Sequence, residues 1–158
     1  MNNHFAPMYP LFLLTALLNL AVLCSADFHV SAVVSGSVGY CSNDGGCQDN
    51  YNNYVIACPS NYWNCNCFTE NDRGAQADNG NIKDIVGSSF FQLDAGLCGM
   101  GALNFYRQGD GSWQFYVDGG DGTLQGTCYS NSASDYCWNV VGSASVADRL
   151  VCYSYICN

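Results

Sequence analysis

The chain is poor in the side chains that most often do chemistry at neutral pH. Of 158 residues, two are histidine and four are lysine or arginine, and Glu70 is the only glutamate. Beyond the apolar run near the start, general acid-base catalysis would have to draw on His29, Glu70 or aspartates. Thirteen acidic residues against four basic ones leave a net charge of -9 and a pI near 4.1. Phosphate backbones and anionic lipids repel such a chain, which disfavours nucleic acid and membrane surfaces as partners. There is no C-x-x-C pair, and His29 is the only histidine after the apolar run, so the ligand spacing of a zinc site is missing and no metal or cofactor is expected. No serine lies in a G-x-S-x-G elbow, and no N-x-[ST] sequon occurs. After Cys24 no stretch is long and apolar enough to span a bilayer.

What the chain does have begins with MNNHFAPMYP and the aliphatic run LFLLTALLNLAVLC, ending in the small residues Ser25 and Ala26. This reads as a secretory signal peptide over residues 1–26, followed by a single domain over 27–158. Of the 11 cysteines Cys24 leaves with the signal, and Cys41, Cys47, Cys58, Cys65, Cys67, Cys98, Cys128, Cys137, Cys152 and Cys157 remain. An even number in a short exported chain predicts that all of them are bridged, in a pattern that spacing does not reveal. Cys65 and Cys67 are too close to bond each other without strain. Each is therefore expected to tie a different neighbour.

The stretch Gly96 to Ser130 alternates apolar and polar residues between glycine-aspartate turns. It predicts a three-stranded antiparallel meander with Leu103, Phe105, Trp113, Phe115, Val117, Leu124, Gly126 and Cys128 inward. Phe28, Val30, Ala32 and Val34 alternate with His29, Ser31 and Val33 as a first strand, and Tyr54 to Cys58, Ser89 to Leu93 and Arg149 to Tyr155 read as further strands. Trp138 to Val141 forms a short apolar piece. Ile82, Ile85 and Val86 suit a helical turn ended by Gly87, and Ser145 with Asp148 suits a capping box. The fold class is therefore mainly β: a disulfide-stabilised antiparallel sheet or small β-sandwich with short helical turns.

The meander's outer face brings together Asn104, Tyr106, Gln114, Tyr116, Gln125, Thr127 and Tyr129. Flat rings beside amides and hydroxyls suit recognition of a protein or a sugar, provided that no second layer covers them. Tyr62 and Trp63, in the cysteine-rich loop SNYWNCNC, are the other exposed aromatic candidates. His29, Glu70, Arg73 and Arg107 would be the set for a small hydrolase or ribonuclease; otherwise His29 faces solvent and Glu70 pairs with Arg73. Asp110, Asp118 and Asp121 stand beside glycines and read as turn residues, in preference to a glycosidase pair or a calcium loop. The glycines of Gly96 to Gly101 lack the helix and lysine of a phosphate loop.

The motifs ACPSNYWNCNCF (Ala57 to Phe68), GLCGMGALNFYRQGDGSWQFYVDGGDG (Gly96 to Gly122), QGTCYSN (Gln125 to Asn131) and LVCYSYIC (Leu150 to Cys157), after a start at DFHV, resemble small secreted cysteine-rich proteins of filamentous fungi. That resemblance implies an effector or elicitor in the plant apoplast, a monomer recognised by a host surface receptor or other extracellular protein, with no catalytic residues. A module binding cell-wall glycan is the alternative partner reading, and a small secreted hydrolase or ribonuclease-like protein the second.

Overall fold

The computed structural model describes residues 26–41, 47–139 and 142–157, and the side chains of all of these except 37–41, 47–50 and 139. The signal-peptide reading, Cys24 and the end of the Trp138 to Val141 piece lie outside the described residues.

Among the described residues the strands are β1 (Phe28–Cys41), β2 (Cys47–Pro59), β3 (Ala75–Gln76), β4 (Phe90–Leu93), β5 (Leu103–Arg107), β6 (Trp113–Val117), β7 (Leu124–Ser130), β8 (Ser134–Asn139) and β9 (Gly142–Ser154), with a short α-helix, α1 (Cys65–Glu70), and 3-10 turns at Ser60–Tyr62, Asp78–Gly80 and Leu97–Gly99. The strands form a single antiparallel sheet in the order β3-β2-β1-β9-β7-β6-β5-β4, with β8 beside β9. The two ends of the order approach each other. Ala77 bridges Leu93, and the Asp94 amide donates to the Gln76 carbonyl at 2.8 Å. The sheet thus curls into a nearly closed barrel, which leaves few unpaired edges.

The inside of the barrel is aromatic. Phe28, Phe91, Phe105 and Phe115 are fully buried, Phe91 and Phe105 stack at 4.5 Å, and Phe105 and Phe115 stack at 4.9 Å. Each such ring contributes about 2 to 3 kcal/mol by leaving water. The meander supplies the expected inward set with one exception: Leu124 is exposed. A β-bulge between Phe115 and Tyr116 pairs Tyr116 with Leu124 and turns that side chain outward. Gly126 is inward because nothing larger fits. A Cβ there would lie 2.4 Å from the Tyr153 carbonyl and 2.7 Å from the Phe115 ring.

In β1 the two faces are both buried, since Phe28, Val30 and Ala32 join the barrel interior while Val33 packs on the outside. Val34, expected inside, is exposed. It sits where β1 runs past the barrel rim, opposite Asn53 and Ser145. The same switch of environment occurs in β9. Against β1, Leu150 pairs with Val30 but Asp148 pairs with Ser31, so Arg149 is an extra residue. That bulge reverses the alternation: Leu150 and Cys152 enter the barrel, whereas Ala144 and Val146 join the outer cluster.

The outer cluster is a second, smaller core. Val33, Tyr54, Ile56, Cys58, Cys67, Phe68, Cys137, Ala144 and Val146 are buried there under α1. A six-residue helix does not sustain itself in water. The Asn64 side chain accepts from the Asn66 amide, Asn71 closes the other end in a left-handed conformation, and Cys58–Cys67 and Cys65–Cys137 bolt the helix to β2 and β8. Cys65 and Cys67 do tie different neighbours. The reason is helical: residues two apart on a helix point to nearly opposite sides.

Cys98–Cys157 and Cys128–Cys152 complete the bridges among the described side chains. Cys41 and Cys47 stand opposite each other in the β1–β2 register, and their side chains lie outside those described. Two expected helical features are absent. Around Ile82 to Gly87 the Asp84 carboxylate accepts from the Ile85 and Val86 amides, a local turn that competes with helix; Ile85 is buried and Val86 exposed. Ser145 and Asp148 lie within β9, where strand pairing prevails over a cap. Trp138 belongs to β8, which starts four residues earlier at Ser134.

Candidate functional site

Strand alternation and register place the meander's outward residues in two rows across the sheet. One row runs Phe90, Tyr106, Gln114, Thr127, Tyr153 from β4 to β9; the other runs Gln92, Asn104, Tyr116, Leu124 from β4 to β7. Among the described residues no element packs over them, and Phe90, Tyr106, Leu124, Tyr129 and Tyr153 are 40% to 54% exposed. Of the expected set, Asn104, Tyr106, Gln114, Tyr116, Thr127 and Tyr129 are therefore brought together on one open face, and the bulge takes Gln125 out of the rows. Phe90, Leu124 and Tyr153 extend it beyond what the meander alone indicated, because they come from neighbouring strands and from the bulge.

The surface is internally braced. Phe90 and Tyr106 rings lie 5.1 Å apart, Tyr106 and Tyr116 6.0 Å, and Tyr129 and Tyr153 6.0 Å. The Tyr116 hydroxyl donates to Gln114 Oε1 at 3.0 Å, Gln92 Nε2 to Asn104 Oδ1 at 2.8 Å, and Asn104 Nδ2 to Asp118 Oδ1 at 2.8 Å. Side chains so held lose little further freedom when something docks on them. Gln125 is the extra residue of the bulge, and its amide donates to the Thr123 carbonyl.

Tyr62 and Trp63 are half-buried and lie elsewhere, against the outer cluster. Arg73 stacks over the Tyr62 ring with its guanidinium carbon 4.6 Å from the centroid, and the Tyr62 hydroxyl donates to Asp72. Arg73 thus pairs with a ring and not with Glu70, which is exposed at the end of α1. Trp63 Nε1 donates to Ser31 Oγ at 3.0 Å, and its ring lies 5.5 Å from His29.

His29 does not face solvent as expected. Its Nδ1 lies 2.6 Å from Asp148 Oδ2, which also accepts from Asn131 Nδ2 at 2.6 Å. The Asp148 side chain is fully buried and that of His29 only 19% exposed. Asp148 was legible only as a helix cap; its partners come from distant parts of the chain. The other members of the hydrolase set stay apart. Glu70 lines a groove of about 360 Å³ with Asn52, Asn66 and Thr69, Arg73 lines one near Cys98, and Arg107 lines another beside Trp113.

No family model, curated protein or solved structure matches the chain. Function must therefore be argued from its own surfaces. Among the described residues no three His, Cys, Asp or Glu gather in an arrangement that could hold a metal ion, and no helix is long and apolar enough to cross a membrane. The aspartates of the hairpins act on their own loops: Asp110 accepts from the Ser112 hydroxyl and amide, and Asp121 from the Thr123 amide. Hydrogen bonding from the hydroxyl first and then the amide of Ser112 and of Thr123 holds both carboxyls below the ordinary aspartate range. Tyr54 shows the opposite effect: burial raises its phenol, whose hydroxyl donates to the Phe68 carbonyl.

Proposed function

We propose that the protein works outside the cell by being bound, with the outer tyrosine face of β4 to β7 and β9 as its recognition surface and a partner protein as the reader. The observation that carries this reading is the open pair of rows through Tyr106 and Tyr116. Aromatic side chains with polar tips are what protein interfaces concentrate, and here they are pre-positioned on a cross-linked sheet. The elicitor-like behaviour of the fungal proteins that the motifs resemble fits the same picture, with a host surface receptor in the apoplast as partner. Catalysis fits less well, since the one histidine of the domain has a ring nitrogen committed to Asp148 and Glu70, Arg73 and Arg107 line separate cavities.

Infiltration of the purified protein into leaves tests the proposal. Intact protein is expected to trigger an oxidative burst or necrosis, and a Tyr106→Ala/Tyr116→Ala variant with unchanged circular dichroism is expected to lose at least most of it. A wild-type response unaltered in the variant would remove the face from the account. Silence in every plant tested would remove the elicitor reading itself.

A further inference from the structure

At the far end of the sheet, β1, β2, β8 and β9 run on past the barrel rim, and among the described residues the face that lines the barrel elsewhere is open there. Register places Tyr51, Gly36, Ser143 and Trp138 directly side by side across β2, β1, β9 and β8. The adjoining row is Asn53, Val34, Ser145 and Tyr136. Tyr51 is 71% exposed and Trp138 77%, and Tyr136 packs against Trp138 at 5.6 Å. We propose that this row is a stacking site for a neutral oligosaccharide.

Shape supports it first. The outer positions of the row carry rings and the inner two carry a glycine and a serine, on strands whose outer pair is three spacings, about 14 Å, apart. The Tyr51 ring leans over Gly36, where a Cβ would come within 3.1 Å of it. The glycine thus lets that ring lie close to the sheet and leaves a shallow trough over Ser143 towards Trp138. A chain of flat sugar rings can lie along such a trough, with its C–H faces on the aromatics.

Charge narrows the ligand. None of the eight residues in the two rows is ionisable near neutral pH, and a carboxylate, that of Glu70, lines the same groove as Gly36, Tyr51, Ser143 and Trp138. That carboxylate and the net charge of -9 both repel acidic polysaccharides. What remains are amide and hydroxyl groups, Asn53, Ser143 and Ser145, suited to a ligand rich in hydroxyls. Rigidity completes the site: Cys137, between Tyr136 and Trp138, is bonded to Cys65 in α1.

This site goes beyond the tyrosine face of the preceding proposal, because the Arg149 bulge and strand alternation put it on the opposite face of the sheet from Tyr106 and Tyr116. Trp138 also supplies the readout, since Trp113 is buried and Trp63 half-buried. The full secreted protein is titrated with cellohexaose, chitohexaose, laminarihexaose and an oligogalacturonate, by tryptophan emission and calorimetry. At least one neutral hexasaccharide is expected to shift the emission to the blue, and the acidic one to leave it unchanged. Trp138→Ala and Gly36→Val are each expected to weaken binding on the order of tenfold, while Tyr106→Ala/Tyr116→Ala binds as the wild type does. Absence of a response to all three neutral sugars, tighter binding of the acidic one, or full affinity in either Trp138→Ala or Gly36→Val would overturn the proposal. Loss of affinity in the Tyr106/Tyr116 variant would move the sugar to the other face and overturn it equally.

Discussion

Asp148 gathers His29 from β1 and Asn131 from the β7–β8 connection around one carboxylate oxygen, while its other oxygen, Oδ1, is buried without a partner among the described residues. Buried polar groups are costly when left unpaired, so the cluster is sensitive to losing a member. His29→Ala should lower stability by about 2 kcal/mol, visible as a lower urea midpoint at unchanged slope; an unchanged midpoint would mean that the contact is idle. At this scale the sequence was only partly legible. Inward phenylalanines could be read from alternation, because each needs only its own strand. Asp148 could not, because a residue 119 positions away supplies its partner. Asp27 is similar: its carboxylate accepts from the Ser154 hydroxyl and the Ile156 and Cys157 amides, joining the start of the domain to its end.

Among the elements, the hairpins were the most legible. Their turns declare themselves through aspartate and glycine, and Asp110 and Asp121 do hydrogen-bond the residues two further on. Because those bonds lower the folded-state values of both carboxyls, they stabilise the fold fully above the ordinary aspartate range, near pH 4, and the contribution is lost as pH falls through the folded values. An Asp110→Asn/Asp121→Asn variant should therefore show a shallower fall in Tm than the wild type as pH drops from about 4 to 2. Parallel curves would contradict it. Helix α1 was missed because its stability is borrowed: two disulfides and the Phe68 contact hold six residues that local preference alone leaves open. The bulges at Arg149 and Gln125 were missed for a related reason. A bulge is a mismatch between two strands, and neither strand announces it alone.

For the whole molecule, class and cross-linking were legible in alternation and cysteine count, whereas closure into a barrel depends on contacts such as Ala77 with Leu93 that no local pattern carries. Cross-links matter unequally. Cys65–Cys137 closes 72 residues and Cys58–Cys67 only nine, so loop entropy assigns about 4 kcal/mol to the first and about 3 kcal/mol to the second. A Cys65→Ala/Cys137→Ala variant should accordingly unfold at lower denaturant than the wild type and release α1 and β8 to early hydrogen exchange, while the barrel amides of β5 and β6 stay protected. Loss of protection throughout would show that barrel and outer cluster are a single cooperative unit. Both proposed binding surfaces require the sheet to be fixed by its bridges before any partner arrives. Peptide mapping of the native, unreduced protein by mass spectrometry tests that most directly: it should recover Cys58 with Cys67, Cys65 with Cys137, Cys98 with Cys157 and Cys128 with Cys152, and free thiols or other pairings at these positions would contradict the account.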